Sequence, residues 1–268
     1  MKVILSRKGF DSSNGKIASP IFEDGTMCSF PIPSEEKDKY SDLQQNGIPY
    51  SKILSDLNYD DIPTCHLDPD LDQGRRKKPV PNWVPAFGQT GSSATYLDNC
   101  GVSKGDLFLF FGTFHHVEEH NGHFRYTRNS GDFYKDNPLH VIWGYLQVGD
   151  VIEDFNEMKK LKWHPHSAKW RSDDDQNVIY VASDRLSFDK SKPGAGLLTF
   201  DPKRVLTLEN CSRATWKKNK VYDPDHIEGD RKNSAKNPRK GLYYSGVWQE
   251  LVLAESVECT NWARSIIR

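Results

Sequence analysis

The segment best supplied for chemistry is Cys65-His66-Leu67-Asp68-Pro69-Asp70, where one imidazole stands beside two carboxylates. Imidazole titrates near neutral pH, and a neighbouring carboxylate can orient the ring, so the group suits acid–base work or metal ligation. A plain turn, with Asp68 or Asp70 accepting backbone hydrogens, fits the same spacing. Trp163-His164-Pro165-His166 adds two imidazoles, with a proline restraining the backbone between them. His66, Asp68, Asp70 and His164 are the candidate catalytic residues.

Cations stand ready for phosphate at Ser6-Arg7-Lys8-Gly9-Phe10-Asp11. Arginine offers a planar fork and lysine a point charge, although a solvated turn fits these residues too. At Trp248-Gln249-Glu250 a strand would turn Gln249 and Glu250 to opposite sides, so only one can enter a site from the sheet surface. A glutamate opening a strand resembles, by analogy alone, the way nucleotide-dependent transferases steady a ribosyl cation. Arg7, Lys8, Asp11, Gln89, His140, Tyr145 and Gln249 are the candidate substrate-binding residues. His115, His116, His120 and His123 are numerous enough for a metal, but Asn121-Gly122 marks their segment as an exposed connection between strands. No metal site is assigned, and the residues identify no cofactor.

These groups need elements to hold them. Val3-Ile4-Leu5 reads as a buried strand running straight into the cationic turn. Gly105 to Gly112 holds a continuous apolar run and reads as the clearest buried strand, with Leu139 to Val148 and Asn177 to Ala182 as a second and third. Gly196 to Phe200 and Gln249 to Leu253 are further strands, and residues 20–34 a hairpin turning at Asp24-Gly25. Residues 40–58 read as a helix interrupted at Gly47 and Pro49, and residues 72–82 as an exposed loop. Strands joined by polar loops argue against a doubly wound parallel sheet. The expectation is an α+β fold: a curled, largely antiparallel, barrel-like sheet with a few helices and long polar loops. It forms a single domain over 1–268, with its strand-rich centre at about 105–200.

The 268 residues carry a net charge of -1, so attraction to polyanions must come from a local patch. Such a patch runs from Lys203 to Lys240, with Trp216, Tyr222, Tyr243 and Tyr244 among or beside its cations as stacking candidates. A solvated basic loop is the alternative. The apolar run at the amino terminus is too short for a signal peptide, and no window is long enough for a membrane span. Cys28, Cys65, Cys100, Cys211 and Cys259 form no CxxC pair, which predicts free thiols and a cytoplasmic location.

The opening Met1 to Ser12, Cys65 to Asp70, Ala86-Phe87-Gly88-Gln89, Gly105 to Phe111, His140 to Gln147 and His164-Pro165-His166 together resemble one family. It is the nucleotide modification associated domain of the third type, found in bacteria and phages. The resemblance covers nearly the whole chain and implies a tie to the modification of DNA bases or nucleotides. The middle alone is similar to the strand pair of PUA-like barrels, a class that includes readers of modified bases. The leading expectation is an enzyme, a transferase or hydrolase, acting on a nucleotide or nucleic-acid base. In it Arg7 and Lys8 grip phosphate while His66 with Asp68 or Asp70 moves protons. The rival is a non-catalytic reader using Trp143, Tyr145 and Trp163, or a protein that sequesters a nucleotide.

Overall fold

The computed structural model describes residues 1–174, 176–232, 236, 237 and 241–268. Its main strands are Val3–Arg7 (β1), Ser19–Ile21 (β2), Ile32–Lys39 (β3), Thr64–His66 (β4), Ala86–Gln89 (β5) and Leu107–His120 (β6). His123–Tyr126 (β7), Leu139–Ile152 (β8), Val178–Ala182 (β9), Ala195–Leu197 (β10) and Glu250–Leu253 (β11) follow. The α-helices among the described residues are Tyr50–Asp56 (α1), Gly91–Asn99 (α2), Phe133–Asp136 (α3), Phe155–Met158 (α4) and Val257–Ile267 (α5).

Nine strands form one sheet in the order β11-β1-β6-β8-β9-β5, with β2 and β7 also on β6 and β10 also on β8. The apolar runs dictate this centre. Leu107 to Phe111 is buried on both faces between β1 and β8, which only an uninterrupted hydrophobic strand tolerates. The sheet is mixed, because β1 and β2 run parallel to β6 while its other pairs are antiparallel. A parallel neighbour needs a long crossover, and residues 8–106 supply one between β1 and β6. No backbone ladder joins β11 to β5 among the described residues, so the expected barrel is not closed. The Gln89 side chain spans that gap instead, reaching Gln249 and Glu250.

Two large apolar clusters and a small one around Ala86, Met158, Trp163 and Ile179 fill the interior. The largest reaches from Val3 to Ile267 and includes α5, whose Cys259, Ala263, Ile266 and Ile267 face inward. The second gathers Phe10, Phe30, Tyr40, Tyr50, Ile53 and Leu57 beneath β7. Several local expectations need correction. The expected helix over 40–58 is a 3-10 turn at Tyr40–Asp42, a short ladder of 44–45 with 48–49, then α1. Pro49 has no amide hydrogen to continue a helix through it, so α1 starts just after it. The loop over 72–82 is not wholly exposed: Arg75 is buried and donates from Nε to the Tyr50 hydroxyl over 2.6 Å.

The histidine-rich connection is strand, not loop. β6 continues through His120 and turns at Asn121-Gly122, both at positive φ, into β7. His115 is buried there, stacked on the Tyr126 ring at 4.8 Å.

The basic stretch also differs from expectation. Trp216, Tyr222 and Tyr244 are core residues, which leaves Tyr243 as the exposed aromatic of that set. Arg204 is buried with its Nε donating to the Ile266 carbonyl over 2.9 Å, and Arg231 lies over the Tyr96 ring. The side chains of Lys232, Lys236, Arg239 and Lys240 lie outside the described residues, as does Asp175. No helix among the described residues is long and apolar enough to cross a membrane.

Candidate functional site

A cavity of about 410 Å3 opens where the ends of several strands converge. That volume suits a nucleotide-sized ligand. β1 delivers Arg7 and Lys8 to one wall, and Gly9 turns the chain away at φ +90°, a conformation that side chains resist. β3 supplies Glu36, β4 and the turn after it supply His66 and Asp68, and β5 supplies Gly88 and Gln89. The segment after α4 adds His166, Trp170 and Arg171.

Asp68 lies at the centre of the imidazoles. Its Oδ1 accepts the Gly88 amide at 2.8 Å and lies 3.3 Å from His164 Nε2. Its Oδ2 faces His66 Nε2 at 3.8 Å and His166 Nε2 at 3.9 Å, beyond hydrogen-bond reach. Burial opposes ionisation of Asp68. The His164 contact and the surrounding imidazoles outweigh it and hold the carboxyl well below the usual carboxylate range.

The other ring nitrogens are fixed from behind. His66 Nδ1 donates to the Glu36 carboxylate at 2.9 Å, since a carboxylate only accepts. Asn177 uses its amide NH2 on the His166 carbonyl at 2.8 Å, which turns its Oδ1 to accept His166 Nδ1–H at 2.6 Å. Burial also pushes His166 down to about 3, against the pull of Asp68, so its ring is neutral at neutral pH. A Cβ at Gly88 would come within 2.3 Å of the His166 ring, so glycine makes room for that imidazole.

The opposite wall is a polar network. Lys8 Nζ lies 3.3 Å from Glu250 Oε1 and donates to Gln249 Oε1 at 3.3 Å. Gln89 Nε2 donates to Glu250 Oε1 at 2.6 Å and to Gln249 Oε1 at 3.1 Å, linking the ends of β5 and β11. Glu250 is fully buried, and its Oε2 has no hydrogen-bond partner among the described residues, while Gln249 lines the cavity. Arg7 pairs with Asp11 at 3.2 Å and donates to the Gly246 carbonyl at 2.9 Å. Trp170, 66% exposed, carries the Arg171 guanidinium 4.1 Å above its ring and offers a flat platform at the rim.

His66, Asp68, Arg7, Lys8, Asp11, Gln89 and Gln249 thus share one cavity. Four other candidates are placed elsewhere. Asp70 is buried in an ion pair with Arg76 at 2.9 Å and accepts Trp83 Nε1–H at 2.9 Å. His164 lies behind Asp68, and of the two imidazoles flanking Pro165 it is His166 that reaches the cavity wall. Tyr145 is buried, with its hydroxyl donating to the Pro193 carbonyl at 3.3 Å. His140 is buried and accepts Trp216 Nε1–H at 3.0 Å on its Nδ1. Glu36, Gly88, Arg171 and Asn177 were not among the candidates. Gly88 lies within the Ala86–Gln89 stretch quoted for the resemblance, whereas Glu36, Arg171 and Asn177 come from separate segments without a local motif.

The placement of His140 has a measurable consequence. Burial, with help from the charges of Arg213 and Arg7, lowers it from 6.5 to about 3. Between those values the unfolded chain binds a proton that the folded chain refuses, so stability falls as pH drops through the window. His140→Gln keeps an acceptor for Trp216 and is expected to remove about 2 kcal/mol of the stability lost between pH 7 and 5. Chemical denaturation at the two pH values measures it, and an unchanged pH dependence would contradict the assignment.

Proton transfer and cation ligation are both open to the lone pairs around Asp68, while Arg7, Lys8 and Arg171 bring positive charge to the same cavity. The family model for nucleotide modification associated domain 3 matches residues 2–254. No curated protein and no solved structure matches the chain. With nearly its whole length accounted for by that match, the chain belongs to the nucleotide modification associated domain 3 family.

Proposed function

We propose that the protein is an enzyme acting on a nucleotide or a nucleic-acid base, with His66, Asp68 and His166 as its chemical centre. The observation carrying this reading is the convergence of three imidazoles on one buried carboxylate at the wall of a cavity that also holds Arg7 and Lys8. Perturbed, oriented titratable groups in a cleft are the usual mark of a reacting site. Family membership supports the substrate class. The reaction type, transferase or hydrolase, stays within the proposal, as do a cytoplasmic location and a single domain over 1–268. The apolar cluster shared by Val3 and Ile267 favours the single domain.

In this reading Arg7 and Lys8 grip phosphate, and Gln89 and Gln249 hold base or sugar. Each of Arg7→Ala and Lys8→Ala should weaken binding of a phosphorylated ligand by about 1–3 kcal/mol, the worth of a charge-assisted contact. Isothermal titration measures this, and wild-type affinity in both variants would remove the phosphate role. The function itself is tested by mass spectrometry of nucleotides and oligonucleotides incubated with pure protein. New product masses support the enzyme. Tight retention of an unaltered base would instead favour a reader, for which Trp170 offers the stacking surface.

A further inference from the structure

The polar atoms facing one another across Asp68 are matched in the wrong sense for a closed hydrogen-bond network. His66 commits its Nδ1–H to Glu36, and His166 commits its Nδ1–H to Asn177 Oδ1. A ring with its hydrogen on Nδ1 carries its lone pair on Nε2, and in both histidines that atom faces Asp68 Oδ2, itself an acceptor. Three acceptors therefore converge with no donor supplied by them. The groups are not loosely placed: Asp68 and His166 side chains are 4% and 3% exposed, and His66 is 12% exposed toward the cavity. His164, by contrast, accepts the His166 amide on Nδ1 at 3.2 Å, so its Nε2–H lies on the far side, 3.3 Å from Asp68 Oδ1.

We infer that His66 Nε2, His166 Nε2 and Asp68 Oδ2 bind one divalent first-row transition-metal ion, with the remaining coordination positions open to the cavity. One ligand atom from each of the three residues lies within 4.8 Å of the others. The 3.8 and 3.9 Å separations from Oδ2 need a contraction of about half an ångström to match ~2.1 Å bonds at tetrahedral angles. Two imidazoles and one carboxylate select transition ions over calcium or magnesium, which prefer oxygen. Donation of the second ring N–H to a carboxylate or an amide oxygen is the arrangement that orients metal-bound histidine and raises its basicity. Here Glu36 and Asn177 are those acceptors. The inference takes its location from the site proposed above but needs no nucleotide, and it makes His66 a ligand in place of a proton carrier.

The test uses the full-length chain, stripped with EDTA and titrated with Mn2+, Fe2+ under anaerobic conditions, Co2+ or Zn2+, each as its own probe. Calorimetry with elemental analysis should find one ion per chain for at least one metal, and none for Ca2+. His66→Gln and Asp68→Asn should each weaken binding by about a hundredfold or more, and Glu36→Gln by about 10–100-fold. Circular dichroism confirms that each variant is folded. His123→Ala, which removes the exposed β7 imidazole from its pair with Asp56 of α1, should leave uptake unchanged. Failure of the wild type to take up any of the four metals overturns the inference, as does equal uptake by folded His66→Gln and Asp68→Asn. Uptake without nucleotide turnover would sink the enzyme reading and leave the metal site standing.

Discussion

Replacing His66 by alanine is expected to lower turnover by about a hundredfold or more while nucleotide binding stays nearly intact. The expectation follows from where the ring stands. Its Nδ1 is held by Glu36 at 2.9 Å, and its Nε2 points at the Asp68 carboxylate from the cavity wall. Such a group contributes mainly when charge or a proton moves, whether it acts as a base or holds an ion. Most of the cavity remains in the variant, since Arg7, Lys8 and Gln89 hang from other strands. Asp68→Asn should show a similar loss, because the amide keeps an oxygen for the Gly88 N–H but removes the charge facing the imidazoles. A merely structural His66 would give the opposite pattern, with stability down by about 1 kcal/mol and activity per folded molecule unchanged. Steady-state kinetics beside a denaturation curve separates the two patterns.

Trp216→Ala is expected to cost about 3–5 kcal/mol of stability, enough to unfold a marginal domain. Trp216 is fully buried, stacks on Tyr244 at 5.1 Å and meets Phe111 edge-on at 5.1 Å. Its indole N–H also satisfies the buried Nδ1 of His140. Truncation leaves a cavity beside the central strand β6 and an acceptor without its donor. If the aromatics of the basic stretch served instead as stacking platforms for bases, Trp216→Ala would spare stability and weaken polynucleotide binding. Thermal unfolding of the variant decides this.

The sequence made the apolar strands legible, because β1, β6, β8 and β9 contain buried runs that no other element accommodates. It misread the far end of β6. His115, Glu118 and Glu119 look like a connection, yet β2 pairs with the first and β7 with the other two, and a separate apolar cluster packs beneath. The parallel pairing of β1 with β6 was also hidden, since no local pattern reports a partner about a hundred residues away. At the site, the His66–Asp68 pair was visible because both side chains come from one short segment. Which of His164 and His166 meets the cavity depends on room that Gly88 leaves from another strand. The roles of Glu36 and Asn177 arise only when β3 and the residue before β9 are folded against the histidines.

The central claim is that the nucleotide occupies the cavity at Asp68, and histidine-ring NMR tests it most directly. Long-range proton–nitrogen spectra report each imidazole separately, and the chain has 9 histidines. Titration with a retained nucleotide should move the ring signals of His66 and His166, while those of His123, exposed on the far hairpin, stay fixed. Full saturation with the His66 and His166 signals unmoved would contradict the account.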